Sequence, residues 1–175
     1  MKHFSRLFVI VILVLASCHS INAQKGFRIE ANIGPALGES RDYHTFALQG
    51  NLYYLFQVTD NIDLGITSGF LLYLGDNTDD TAPLFSSIPD GYIPIALAGR
   101  IDLSKAVSVG LDTGLSVNID EDTGFYFRPL LMYHIKEKLS LVASYIHINE
   151  KGGGDFIIEN KYTAAALMIG LNFGF

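Results

Sequence analysis

The stretch TAAALMIGLNFGF, residues 163–175, decides how the rest of the chain is interpreted. Stepping back from Phe175 two residues at a time gives Phe173, Leu171, Ile169 and Leu167, whereas the residues between them are small or polar. This alternation is typical of a β-strand with one apolar and one polar or small face. A strand that stops on an aromatic residue suits the closing position of a sealed sheet, where it meets the first strand.

Seven earlier segments alternate in the same way, so the sequence predicts eight strands. Their predicted bounds are 27–35, 45–56, 62–74, 92–103, 107–119, 125–135 and 139–148. Each is about as long as a tilted membrane-spanning strand, which takes ~9 to 11 residues. The parity of 139–148 is ambiguous, because Ser140 and Ser144 share a face with Val142 and Ile146.

The connections between these segments are of two kinds. Short ones (57–61, 104–106 and 136–138) alternate with mostly longer polar ones (38–44, 75–91, 120–124 and 149–161). An even number of antiparallel strands with tight turns at one end and polar loops at the other is the layout of an outer-membrane barrel. We therefore predict an all-β fold, an eight-stranded antiparallel up-and-down transmembrane β-barrel, formed by residues 24–175 as one domain.

The distribution of charge predicts which face of each strand meets lipid. One face is uncharged in nearly every segment, and the other carries Arg28, Glu30, Asp63, Arg100, Asp102, Asp112 and Arg128. A charge that faces lipid at the membrane midplane costs roughly 2 to 4 kcal/mol, so the charged face should line the lumen. A secreted soluble barrel is the alternative, and it would turn its apolar face inward.

The predicted lumen is narrow. An eight-stranded barrel has room inside only for its own side chains, and unpaired buried charges are unfavourable. We therefore expect the seven inward charges to form a salt-bridge network that fills the lumen and leaves no open pore. The alternative is that they form a path for protons or ions.

Residues 1–23 have the features of a cleaved export signal. Lys2 and Arg6 precede an apolar run at 7–16, and Ala23 offers a cleavage site. The run is too short for a membrane-spanning helix, which needs ~20 residues. Cys18 lies in a lipobox-like segment, so a lipoprotein modified at Cys18 is an alternative. As the single cysteine, it allows no disulfide within the mature chain and no thiolate metal site.

The charge of the mature chain argues against a nucleic-acid partner. Loss of Lys2 and Arg6 leaves ten basic and eighteen acidic residues, a formal charge of −8. The acidic segments 76–90 and 120–122 do not predict a metal site either. In an EF-hand frame that starts at Asp76, the sixth residue is Thr81 rather than glycine. We expect no metal and no cofactor.

Together, the export signal, the eight alternating segments, the IPI sequence at 93–95 and the ending GLNFGF at 170–175 resemble a known family. It comprises the small outer-membrane barrels of Bacteroidetes-type bacteria, often called porin-family or PorT-like, which are related in architecture to OmpX and the OmpA barrel. The resemblance implies that the barrel assembly machinery recognises the closing strand, with Phe173 and Phe175 as its signal. It implies no reaction.

We expect a monomer, embedded among outer-membrane lipid and lipopolysaccharide, with a structural or binding role and loops that contact an unknown ligand.

One segment suggests an enzymatic alternative. Residues 145–149, YIHIN, resemble the His-x-Ser-Asn segment of PagL-type lipid A deacylases, which are also small barrels. The resemblance implies His147 as the base and Glu159 as the acid that orients it. The nucleophile position is occupied by Asn149, which has no hydroxyl to attack an ester.

Overall fold

The chain folds into one closed barrel. The computed structural model describes residues 26–75, 90–118, 123–150 and 163–175. The strands are β1 (Gly26–Leu37), β2 (Phe46–Thr59), β3 (Ile62–Leu74), β4 (Asp90–Asp102), β5 (Val107–Asn118), β6 (Thr123–Lys136), β7 (Leu139–Glu150) and β8 (Thr163–Gly174). A short helix, α1 (Ser40–Tyr43), lies between β1 and β2. Among the described residues, no helix is long and apolar enough to cross a membrane.

The strand order confirms the predicted fold. Each strand pairs antiparallel with the next, and β8 pairs with β1 to close the sheet. In that closing ladder Ile29 lies opposite Phe173, and Ile33 lies opposite Ile169. The stretch 163–175 is therefore the closing strand that its alternation predicted.

Three prolines lie inside strands, and each interrupts one of its two ladders. Pro35, Pro94 and Pro129 are paired on one side, to Phe46, Ser116 and Leu111. On the other side the ladder skips the proline and resumes in the same register. The interruption follows from the missing N–H donor of proline. Because the register is kept, the alternation of faces continues through each proline.

The two faces of the sheet differ sharply in exposure. On the outer wall, Ile95, Leu97 and Leu115 are 61%, 67% and 56% exposed. In β7 the parity is now assigned, since Leu141 and Tyr145 point outward and Ser140, Ser144 and Ile146 are buried. The outer wall therefore carries a belt of exposed apolar side chains, whereas the charged side chains are buried inside the barrel.

The interior has two chemically different halves. We call the end of the barrel with the short connections the turn end and the opposite end the loop end. Near the loop end the lumen is filled by an apolar cluster that includes Tyr73, Tyr92, Tyr126, Ile146 and Met168. The charged and amide side chains fill the middle and, together with two smaller apolar clusters around Leu55 and Met132, the half toward the turn end. The sequence predicted the charges of this face but not its apolar half.

At the loop end, the segment around α1 packs against the start of β8. Ser40 is fully buried, its Oγ donates to the Thr163 carbonyl oxygen at 3.5 Å, and that Oγ accepts from the Ala165 N–H at 3.0 Å. The Thr163 N–H donates to Glu39 Oε2 at 2.6 Å. A helix this short gains little from its own hydrogen bonds. These contacts with the start of β8 therefore hold α1 in place.

Candidate functional site

Arg128 is at the centre of the charged half of the lumen. It projects inward from β6, is 0% exposed, and donates from Nη2 to Glu30 Oε1 on β1 at 2.5 Å. Its Nη1 donates to Tyr53 Oη at 2.6 Å and reaches Asp112 Oδ2 at 3.4 Å. Its Nε donates to Ser144 Oγ at 3.0 Å. The Arg128 guanidinium therefore links side chains from four other strands.

A second arginine completes the charge balance. Arg100 Nη1 donates to Asp112 Oδ1 at 2.6 Å, and the Arg100 guanidinium lies 5.1 Å from the centre of the Tyr53 ring. Tyr53 Oη donates to Asp112 Oδ2 at 2.9 Å. Arg100, Arg128, Glu30 and Asp112 are each at most 4% exposed. Two positive and two negative groups thus neutralise one another where water is largely excluded.

Amide side chains extend this network toward the turn end. Glu30 accepts from Asn32 Nδ2 at 2.9 Å and from Asn172 Nδ2 at 3.0 Å. Asn172 in turn accepts from Arg28 Nη1 at 2.9 Å. A continuous hydrogen-bonded path therefore joins Arg28 to the central pair of Glu30 and Arg128.

The remaining two charges that the sequence placed in the lumen lie near Arg28. Asp63 is 3% exposed, and Asp102 is partly buried. Both line a small cavity of about 10 Å³ together with Arg28 and Arg100. This volume is about that of one water. The structure therefore gathers the seven predicted residues in the middle and turn-end parts of one lumen.

A hydrogen-bonded chain of four side chains lies beside this cavity. Ser108 Oγ donates to Asp102 Oδ1 at 2.5 Å and contacts His134 Nε2 at 2.5 Å. The other ring nitrogen of His134, Nδ1, lies 2.8 Å from Ser140 Oγ. Because the Ser108 proton goes to Asp102, a neutral His134 carries its proton on Nε2 and accepts from Ser140.

Strand alternation did not predict these four contacting side chains, although the sequence contains a signal for them. Asp102 and Ser108 flank one short turn and are directly paired, and His134 and Ser140 flank another and are also paired. Polar residues placed symmetrically about a tight turn meet across the hairpin. That rule would have predicted both pairs.

Beyond the small cavity, the barrel opens at the turn end into a basin of about 600 Å³. It is lined by Arg28, Gln57, Asp102, Ser104, Lys105, His134, Lys136, Glu137, Lys138, Gly174 and Phe175. Arg28, Asp102 and His134 line the small cavity as well. These three residues therefore form the floor of the basin.

The proposed base of the deacylase hypothesis, His147, lies on the outer wall. His147 is partly exposed there and stacks on Tyr145 with ring centres 6.3 Å apart. The position two residues along, on the same wall, is Asn149, whose Oδ1 is buried without a hydrogen-bond partner in the described structure. Glu159 lies outside the described residues. The described part of the wall therefore places no serine at the position of the nucleophile.

Several other sequence predictions fall where the structure describes nothing. The export signal 1–23 with Cys18, the acidic segment 76–89 and residues 120–122 lie outside the described ranges. Within those ranges, no group of three or more His, Cys, Asp or Glu side chains could hold a metal ion. Phe173 and Phe175 are 43% and 71% exposed on the outer wall near the turn end.

Neither a protein-family model nor a curated protein matches the chain. Several solved barrels are similar in structure. Ail, the attachment invasion locus protein of Yersinia pestis, has a TM-score of 0.54 at 11% identity, over 89% of this chain and 100% of Ail. Neisserial surface protein A has a TM-score of 0.53 at 14% identity, over 86% and 97% of the two chains.

A third similar structure comes from de novo design of transmembrane β-barrels, with a TM-score of 0.52 at 11% identity, over 87% and 99% of the two chains. This is the fold of small outer-membrane barrels. Identities this low establish the fold alone. The PorT-like resemblance within that fold stays a prediction.

Proposed function

We propose that this chain is an integral protein of the bacterial outer membrane whose closed barrel has a structural or binding role in the cell envelope. The single observation that supports this role most is the continuous wall of exposed Ile, Leu and Phe side chains around a lumen of buried ion pairs. Exposed apolar surface on this scale is unfavourable in water and favourable in hydrocarbon. The protein therefore needs lipid as its outer solvent.

The filled lumen favours this role over that of a pore. Arg128, Glu30 and Asp112 meet at the centre of the barrel without exposure to solvent. The apolar cluster around Tyr92 and Ile146 fills the space toward the loop end. Passage of an ion would require both layers to part. A narrow barrel packed in this way serves as an anchor for its loops rather than as a conduit.

The proposed route to the membrane rests on the composition of residues 1–23 and on the apolar face of β8. Residues 1–23 act as the export signal, and the barrel assembly machinery recognises β8 through Phe173 and Phe175, which lie on the lipid side of that strand. In outer-membrane barrels the short turns face the periplasm. The long loops then face outward, where they contact lipopolysaccharide and a ligand that is still to be identified. The barrel works as a monomer.

Membrane fractionation with gel electrophoresis tests this proposal. The mature protein should remain in the outer-membrane fraction after urea washing and should migrate faster unheated than boiled, as expected of a barrel that resists detergent. Recovery of a folded protein from the soluble fraction would contradict the proposal and favour the secreted soluble barrel. A Cys18→Ser variant with altered processing would favour the lipoprotein.

Planar bilayer recording tests the closed lumen separately. The purified barrel should insert without stepwise conductance. Stepwise conductance of the unaltered protein would contradict a closed lumen but leave the membrane location intact.

A further inference from the structure

The turn-end basin has the composition of an anion-binding site. Among the side chains that line it, Arg28, Lys105, Lys136 and Lys138 are cationic, whereas Asp102 and Glu137 are anionic. The basin therefore keeps a net positive charge in a protein whose overall charge is strongly negative. A locally positive potential on an otherwise negative protein attracts anions to the basin.

The floor of the basin contains a donor that the protein leaves unsatisfied. Arg28 is 8% exposed, and its Nη1 donates to Asn172. Its Nε is buried and has no hydrogen-bond partner in the described structure. Buried donors are nearly always paired, so an orphaned one indicates a missing acceptor. The planar guanidinium offers its N–H groups in a geometry that matches carboxylate and phosphate oxygens.

We propose that the turn-end basin binds a small multivalent oxyanion, a phosphate or a di- or tricarboxylate. Arg28 supplies the directional hydrogen bonds from the floor. Lys136 and Lys138, on the turn between β6 and β7, and Lys105, on the turn between β4 and β5, supply charge from the rim. A volume of about 600 Å³ is within the size range of small-molecule sites, roughly 300 to 1,000 Å³.

The acidic residues of the basin set its selectivity. Asp102 accepts the hydrogen bond of Ser108 and is thereby held in the floor. Glu137 is exposed on the rim between two lysines. Their negative charges offset part of the attraction, so a monovalent anion such as chloride gains little. A ligand with two or more charges contacts several cationic side chains at once and keeps a net attraction.

Occupancy of the basin would be transmitted to the lumen. Arg28 donates to Asn172, Asn172 donates to Glu30, and Glu30 accepts from Arg128. An anion that draws Arg28 toward the basin changes the first hydrogen bond of this path. We therefore expect chemical shifts of Asn172 to respond to the ligand, although Asn172 does not line the basin.

Calorimetric titration of the mature barrel in nanodiscs of zwitterionic phosphatidylcholine tests the site. Citrate and inorganic phosphate are titrated separately, with ionic strength held constant by sodium chloride. We expect saturable binding of at least one of them. The double variant Lys136→Gln with Lys138→Gln, at two exposed positions, should weaken that binding by about fivefold to tenfold. Arg41→Gln, an exposed change of the same charge at the loop end, should leave it unchanged.

Two outcomes would overturn the proposal. The first is that neither anion binds in a saturable way. The second is that the double lysine variant and Arg41→Gln weaken binding equally, which would mean that the anions respond to the overall charge of the protein and not to the basin. Nanodiscs that contain phosphatidylglycerol identify the source of the ligand. If the lipid lowers the affinity for citrate, a headgroup phosphate occupies the basin, and if it does not, the ligand is a free anion.

Discussion

Arg128 Nη2 lies 2.5 Å from Glu30 Oε1, although 98 positions of sequence separate the two residues and their strands, β6 and β1, are not neighbours in the sheet. Both side chains are 0% exposed. The ion pair therefore crosses the lumen and fixes the distance between opposite walls. Its strength depends on the absence of water and on the further hydrogen bonds that each partner makes.

Removal of Arg128 should be far more damaging than removal of an exposed arginine. Arg128→Met leaves Glu30 and Asp112 as buried carboxylates without their shared partner, and we expect a loss of about 3 to 5 kcal/mol in the free energy of unfolding. Arg41→Met, at an exposed position on α1, should change it by less than about 0.5 kcal/mol. Urea unfolding from lipid vesicles measures both variants.

A double variant tests whether the loss comes from the unpaired carboxylate. Glu30→Gln added to Arg128→Met removes the carboxylate that has lost its ion-pair partner, whereas Asp112 keeps Arg100. The double variant should then be less destabilised than the sum of the two single variants predicts, by at least about 0.5 kcal/mol. Simple additivity would mean that the two groups do not interact across the lumen.

The closing ladder should not tolerate a side chain at Gly170. A Cβ built on Gly170 meets the Ala31 carbonyl oxygen and Asn32 Oδ1 of β1. Gly170→Ala should therefore cost about 1 to 3 kcal/mol in unfolding free energy and slow barrel closure. At Gly99 the nearest atom, Leu64 Cδ2, is 3.7 Å from the new Cβ, so Gly99→Ala should be neutral or slightly stabilising. Equal effects of the two changes would contradict close packing of β8 against β1 at Gly170.

The chain of side chains through Ser108 should contribute to stability through its hydrogen bonds. Ser108→Ala leaves Asp102 and His134 without their common partner, and we expect a loss of about 1 to 3 kcal/mol in unfolding free energy. Ser116 is the matched control, since it is also buried on β5 but its Oγ makes no hydrogen bond in the described structure. Ser116→Ala should therefore be neutral or stabilising, and a similar loss in both variants would contradict a role for the hydroxyl.

The loss of unfolding free energy caused by a charge on the outer wall should depend on the depth of that charge in the membrane. Leu97 and Leu103 are 67% and 63% exposed, but Leu97 lies in the middle of β4 and Leu103 lies just beyond its turn end. Leu97→Arg should cost roughly 2 to 4 kcal/mol in vesicles, and Leu103→Arg roughly 0 to 1. Equal costs, measured by the same urea unfolding, would indicate that the wall does not span a hydrocarbon layer.

The sequence predicted the strands well because alternation is a local signal. In β5 the outward side chains of Leu111 and Leu115 alternate with the inward Asp112 and Ser116, and the strand begins at the predicted residue and continues to Asn118, the last residue described there. In β7 alternation did not assign a face. There the inward side combines Ser140 and Ser144 with Val142 and Ile146, because part of the lumen is apolar.

The sequence did not predict which side chains meet across the lumen. Parity shows that Arg128 and Tyr126 both point inward, but the stagger between strands decides that Arg128 meets Glu30 and that Tyr126 accepts from Gln49. The fold of α1 was also missed, since its hydrogen bonds depend on residues of β8 that are distant in sequence. Contacts that depend on how the strands are offset from one another produce no periodic pattern in the sequence, so they cannot be read from it.

Fluorescence quenching by brominated lipid tests most directly whether the outer wall faces hydrocarbon. The chain has no tryptophan, so Leu97→Trp introduces a single tryptophan at the middle of the wall, and excitation at the red edge of its absorption avoids the nine tyrosines. Lipids brominated deep in their acyl chains should quench it strongly, and quench the Leu103→Trp control much less, while aqueous iodide should not reach the deeper position. Strong quenching of Leu97→Trp by iodide, with none by the brominated lipids, would contradict the account.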